Sequence, residues 1–169
     1  MQRIPEPELM TTQEQVDAYA DADFSSGDSR TVALVEQLLD ETGPLPKDPL
    51  IVDLGCGPGN ITIRLAELLP NAQVIGIDGS EPMLAVAKQR SIRTSNTLKF
   101  IRLQLHDIEV ELKDLADLVV SNSLLHHLTK PDLLWSGTQS IAKPGGCVWH
   151  RDLRRPTSLA EVHRLQQQY

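Results

Sequence analysis

The chain is short of cysteine, of basic residues and of long apolar runs. Its two cysteines, Cys56 and Cys147, make no disulfide framework, so a reducing cytoplasmic setting is the expected localisation. No stretch approaches the roughly 18–20 consecutive apolar residues of a membrane span. The opening MQRIPEPELM lacks the apolar core of a signal peptide. Lys and Arg number 16 against 23 Asp and Glu, giving a net charge of −7 and a pI near 5.1. That balance argues against nucleic acid and anionic membrane as partners, since both select basic surfaces. There is no internal repeat and no low-complexity tract. What is present is an ordinary globular mixture, 40% apolar and 23% charged over 169 residues, enough for one domain with a real core.

Hydrophobic periodicity divides the chain into a helical N-terminal segment, residues 1–46, and a main domain, residues 47–169. Residues 11–22 read as a short helix with Thr11 and Glu14 at capping-box spacing and Val16, Tyr19 and Ala20 on one side. Asp28 is the expected cap of a second helix, with Val32, Val35, Leu38 and Leu39 as its stripe and Gly43-Pro44 as its stop. The main domain then alternates. Strands are expected at 50–54, 73–78, 98–103, 117–122 and 147–152. Helices are expected after Asn60, after Ser80, from a Thr129/Asp132 box to the KPGG at 143–146, and from Ser158 with Glu161. Alternating strands and helices imply an α/β fold: a Rossmann-like, doubly wound parallel sheet of about five strands. In such sheets ligands lie at the carboxyl ends of the strands. Asp53, Asp78, Asp107, Asn122 and Asp152 all fall at such ends.

The residues between the first strand and the following helix carry the chemistry. IVDLGCGPGN, residues 51–60, places Gly55, Gly57 and Gly59 at alternate positions behind Asp53. Glycines there let the backbone turn sharply and approach a ligand where a Cβ would collide. The dinucleotide fingerprint G-x-G-x-x-G needs a glycine or alanine where this chain has Asn60; its third glycine comes one residue early.

D-x-G-x-G-x-G followed by an acid at the end of the next strand, Asp78, resembles the class I S-adenosylmethionine-dependent methyltransferases. The resemblance extends in order through VIGIDGSEPMLAVAKQR, LQLHDIE, DLVVSNSLLHHL and KPGGCVWHRDLRRP. It implies S-adenosyl-L-methionine as cofactor, and a cofactor site assembled from those segments. Asp78 would accept both ribose hydroxyls, with Gly79 beside it. Gly55, Cys56 and Gly57 would line the ligand, and the amides near Gly59 and Asn60 would face its carboxylate region. Asp53 would order the loop near the methionine part. Met83 either packs on the adenine face or belongs to the core. Asp107 and the backbone of Ile108 would read the adenine edge. Ser121 and Asn122 would face the methionine amine and the acceptor.

Methyl transfer is an in-line displacement that needs alignment and a dry site; a base is needed only if the acceptor must lose a proton. His126, His127 and Asn122 are the weak catalytic candidates, LLHHL being equally readable as a packing motif. No metal site is expected: adjacent histidines rarely converge on one ion, and Cys147 and His150 fall on opposite faces of a strand. The segment NSLLHH lacks the proline-aromatic tetrad, nucleophilic cysteine and acidic loop of the resembling macromolecule-modifying classes, which leaves a small-molecule acceptor. Arg151, Arg154 and Arg155 either attract an acidic acceptor or form a solvated surface run. Tyr19 and Phe24 either form a lid or pack the first helix on the core. The resembling family adds two more strands beside the fifth. Without them this edge is expected to be exposed, and a homo-oligomer covering it is one expectation; a truncated chain and a naturally short protein are the others. The functional expectation is methyl transfer to a small molecule, the alternative being a module that binds the cofactor without turnover.

Overall fold

A computed structural model describes residues 8–94, 98–108, 113–154 and 156–166. The N-terminal segment contributes α1 (Gln13–Asp21) and α2 (Ser25–Thr42). The main domain runs β1 (Leu50–Leu54), α3 (Asn60–Leu68), β2 (Gln73–Asp78), α4 (Glu81–Arg90), β3 (Leu98–Arg102), β4 (Ala116–Asn122), α5 (Asp132–Ile141), β5 (Ala142–Arg151) and α6 (Leu159–Gln166). The five strands form one sheet in the order β3-β2-β1-β4-β5, every pair parallel. β3 and β5 are its edges, and β1 is central. Among the described residues no helix is long and apolar enough to cross a membrane.

Alternation along the buried strands builds two cores. On one face Ile51, Val74, Leu118 and Val120 meet Val35 of α2 and Ile61 and Leu65 of α3. On the other, Val52, Leu54, Ile77 and Val119 meet Leu134 and Ile141 of α5. The order of strands brings the ends of β1 and β4 side by side, with the end of β2 on the far side of β1. A crevice opens along that edge.

Four local expectations are corrected. The cap of α1 is Thr12, whose hydroxyl accepts from the Gln15 amide, in place of the Thr11/Glu14 pair. α2 begins at Ser25, a turn earlier than Asp28 implied, because Asp23 Oδ1 accepts from the Ser25 amide at 2.9 Å and holds the helix start. Asp28 is thereby released from capping and buried. Thr129 caps no helix; its amide and hydroxyl both donate to Glu8 Oε1, and α5 starts three residues later. KPGG does not end α5, which stops at Ile141; it lies within β5, which pairs from Ala142 with an irregularity opposite Ala116–Leu118. Gly145, at φ +82°, supplies backbone freedom there. Asp152 falls just beyond β5.

On β5, Cys147 Sγ reaches Thr42 of α2 while His150 Nε2 reaches Thr138 of α5, so the two side chains take opposite faces of the sheet. Arg155 lies outside the described residues, and Arg154 pairs with Glu161 at the surface.

Candidate functional site

The turn after β1 is held by the strand beside it. Gly55 and Cys56 both donate their amides to the Ile77 carbonyl, at 2.8 and 3.0 Å. Gly55, Gly57 and Gly59 have φ of +69°, +51° and +82°, conformations that side chains with a Cβ resist. Gly59 is the residue from which α3 departs. Asp78 then clasps the turn: its Oδ2 accepts from the Gly57 amide and its Oδ1 from the Ser80 amide, each at 2.8 Å. One carboxylate therefore organises both the β1–α3 and β2–α4 turns, and still has acceptor sites to offer a ligand. Ser80 caps α4 through the Met83 amide.

A crevice lies over these turns at the carboxyl edge of the sheet. Asp53, Gly55, Cys56, Gly57, Asn60, Asp78, Gly79, Met83, Asn122 and His127 all line it. Met83 is also almost wholly buried, so the two readings of it coincide. The remaining expected site residues lie elsewhere. Gly59 shapes the helix start. Ser121 is buried in β4 outside the lining. Ile108 is sealed in the α5-side core. Asp107 is half-exposed on a 3-10 turn, 3.4 Å from His106, and it is Gln104, Leu105 and His106 that reach the crevice. His126 turns away to Asp152, its Nδ1 2.7 Å from Oδ1, while Asp152 Oδ2 accepts from the Leu125 amide.

The structure adds lining residues that the sequence did not single out. Asp28 is one; its carboxylate signal was that of a helix cap. Leu9 and Met10 are others. They belong to a strap without periodicity, tied at one rim by the Ser80 hydroxyl to the Met10 carbonyl and at the other by Glu8 to Thr129. Of the pair read as lid or packing, Tyr19 lines the crevice, its ring 4.9 Å from that of Phe24 and tilted by 38°; Phe24 itself is on the outside.

Electrostatically the site is acidic. Burial pushes the Asp53 carboxyl up to about 7; the Thr62 hydroxyl, 2.6 Å from Oδ2, pulls it back, and Asp78 adds to the rise. Burial also raises Asp78, against the pull of the Ser80 and Gly57 amides. Asp28 is raised by burial, in part offset by Arg64 and Asn60. The Cys56 thiol is pushed well up by burial and is no nucleophile at neutral pH.

The Asp53 shift has a consequence for stability. Its folded pKa exceeds its unfolded value, so between about pH 4 and 7 the folded state binds the extra proton. Stability is expected to fall as pH rises through that window and to level above it. Asp28 and Asp78 contribute in the same direction. In urea melts, Asp53→Asn should flatten the slope without removing it; a slope identical to wild type would contradict the assignment.

A parallel 3-2-1-4-5 sheet with a glycine turn and an acid-ended second strand at its carboxyl edge defines a Rossmann-like nucleotide-binding domain. The methyltransferase domain model matches residues 47–168, and the chain belongs to that family. It is 38% identical over 125 residues to a trans-aconitate 2-methyltransferase from Variovorax paradoxus, covering 72% of this chain and 44% of the relative. The chain thus spans less than half the length of that relative. Haemonchus contortus phosphoethanolamine N-methyltransferase 2, solved with S-adenosyl-L-methionine, superposes with a TM-score of 0.62 at 26% identity, over 79% of this chain and 32% of the other. A solved structure from Methanococcus maripaludis shares the fold over 99% of this chain and 75% of the other, with a TM-score of 0.71 at 15% identity.

Proposed function

We propose that this chain binds S-adenosyl-L-methionine in the carboxyl-edge crevice and presents its methyl group to a small-molecule acceptor. The observation that carries the reading is Asp78: a carboxylate at the end of β2, facing the crevice and clasping the glycine turn. A ribose placed there would give its two hydroxyls to Asp78 in charge-assisted bonds. Adenine would then lie toward Met83 and the Leu103–His106 segment. The methionine part would lie toward Asp53, Asn60 and Asn122.

The chain would supply alignment and exclusion of water rather than a covalent intermediate. The strap at Leu9–Met10 and the Tyr19 ring would serve as part of the lid, making residues 1–46 a covering segment on the binding domain, 47–169. Asn122 and His127 are the lining groups nearest the expected acceptor. His126 would hold its neighbour in place through the Asp152 contact rather than meet substrate. Similarity to trans-aconitate 2-methyltransferases and to a phosphoethanolamine N-methyltransferase supports a small acceptor without choosing its chemistry.

Calorimetric titration with S-adenosylmethionine, S-adenosylhomocysteine and NAD tests the binding step. The two sulfur ligands should bind and NAD should not; tight NAD binding with no response to the others would end the reading. Transfer of labelled methyl from the cofactor into a cell metabolite extract tests turnover. Cofactor binding without any labelled product would favour a binding module.

A further inference from the structure

We infer that Asp28, on α2 and outside the family-matched residues 47–168, is the carboxylate that receives the α-ammonium of the ligand's amino-acid end, so that the N-terminal segment discriminates ligands by that group. The inference rests on the S-adenosylmethionine reading above.

Asp28 is only 7% exposed, yet it lines the crevice. Its Oδ2 accepts from Asn60 Nδ2 at 3.0 Å. Asn60 is fixed in that orientation because its Oδ1 accepts from Arg90 Nη1 at 2.8 Å, while Arg90 Nη2 holds the Ala20 carbonyl at the end of α1. Among the described residues, no hydrogen bond reaches the other oxygen, Oδ1. Arg64 and Arg151 offset the burial of this carboxylate in part, but among the described residues neither hydrogen-bonds it, and burial still raises it. A cation entering the crevice would complete it.

Position selects which cation. Thr31, one turn on from Asp28, donates to Asn122 at the end of β4 and accepts from Arg151 Nη1 at the end of β5. The crevice-facing side of α2 therefore lies over the ends of β4 and β5. Asp78 ends β2, two strand spacings or roughly 10 Å from β4. The sulfonium is one carbon from the ribose ring and stays near Asp78. The ammonium is three carbons beyond the sulfur, toward β4, where Asp28 waits. Tyr19 lines the same crevice, close enough to both acids that its phenol is raised by burial and then by Asp28 and Asp78.

The test compares S-adenosylmethionine, S-adenosylhomocysteine and 5′-methylthioadenosine, which lacks the amino-acid end, by calorimetry on wild type and Asp28→Asn. Asparagine at this position can still accept from Asn60, so the local structure is kept. The two ligands carrying the ammonium should weaken tenfold or more, and 5′-methylthioadenosine should change by less than twofold. Asp28→Glu should recover part of the loss. Equal loss for all three ligands would make Asp28 a support of the lid and overturn the inference. Loss for S-adenosylmethionine alone would place it at the sulfonium and overturn it too, as would no change at all. Failure of wild type to bind any of the three would instead remove the cofactor reading beneath it.

Discussion

Asp78→Ala is expected to weaken S-adenosylmethionine by about 1–3 kcal/mol, roughly 5- to 150-fold in Kd, from the lost charge-assisted bonds to ribose alone. The true loss should fall at the upper end, because Asp78 also holds the two turns in shape. Its two oxygens take the Gly57 and Ser80 amides, and alanine leaves both without that acceptor. Asp78→Asn compromises both roles. Its amide oxygen can satisfy one of the backbone donors, while its NH2 meets the other donor head-on. The asparagine variant should therefore also bind poorly, although its side chain is nearly isosteric. Calorimetry gives the affinities, and urea melts report whether the turns have loosened. An affinity within twofold of wild type for Asp78→Ala would remove Asp78 from the ligand site.

The frame of this protein was legible because its signals are local. The alternation of five short strands with helices could be read along the chain, and the glycine turn and Asp78 stood at strand ends where a parallel sheet puts its ligands. Several of the errors share one physical origin: the partner lies far along the chain. Asp28 reads as a helix cap, but Asp23 takes that task two residues before the helix begins, and Asn60 becomes the partner of Asp28. Thr129 has capping spacing to Asp132 but is engaged by Glu8 from the other end of the chain. Asp107 stands at a strand end, yet a 3-10 turn rotates it outward and brings Gln104–His106 to the crevice. The strap at Leu9–Met10 has no periodicity to detect, because it is irregular chain held at its rims by hydrogen bonds to Ser80 and Thr129. KPGG carries a helix-stop signature, but the pairing of β5 with β4 runs through it.

Gly76→Val is expected to destabilise the fold by about 1–3 kcal/mol through overpacking, even after the roughly 0.5–1 kcal/mol recovered by removing a strand glycine. The reason is Phe100. A Cβ on Gly76, in the interior of β2, would lie 2.7 Å from Phe100 Cδ1 and 2.9 Å from Cys56 Sγ. Ring carbons cannot swing aside as the end of a flexible chain can, and Cys56 is buried within the turn. The same ring passes under the glycine turn, where a Cβ on Gly59 would lie 3.1 Å from Phe100 Cζ and 3.1 Å from the Ala87 Cβ. Phe100 thus fills the space left by two missing side chains, one on the sheet and one in the turn, and is expected to set the height of the glycine turn above the strands. Displacing the ring should weaken cofactor binding along with stability, although Gly76 does not line the crevice. A double-mutant cycle isolates this. Phe100→Ala opens room for the valine, so the paired variant should lose less than the sum of the singles, with a coupling of about 0.5–3 kcal/mol by urea denaturation. Strict additivity would mean that the ring and the glycine are independent and that the turn takes its height from the Ile77 and Asp78 hydrogen bonds alone.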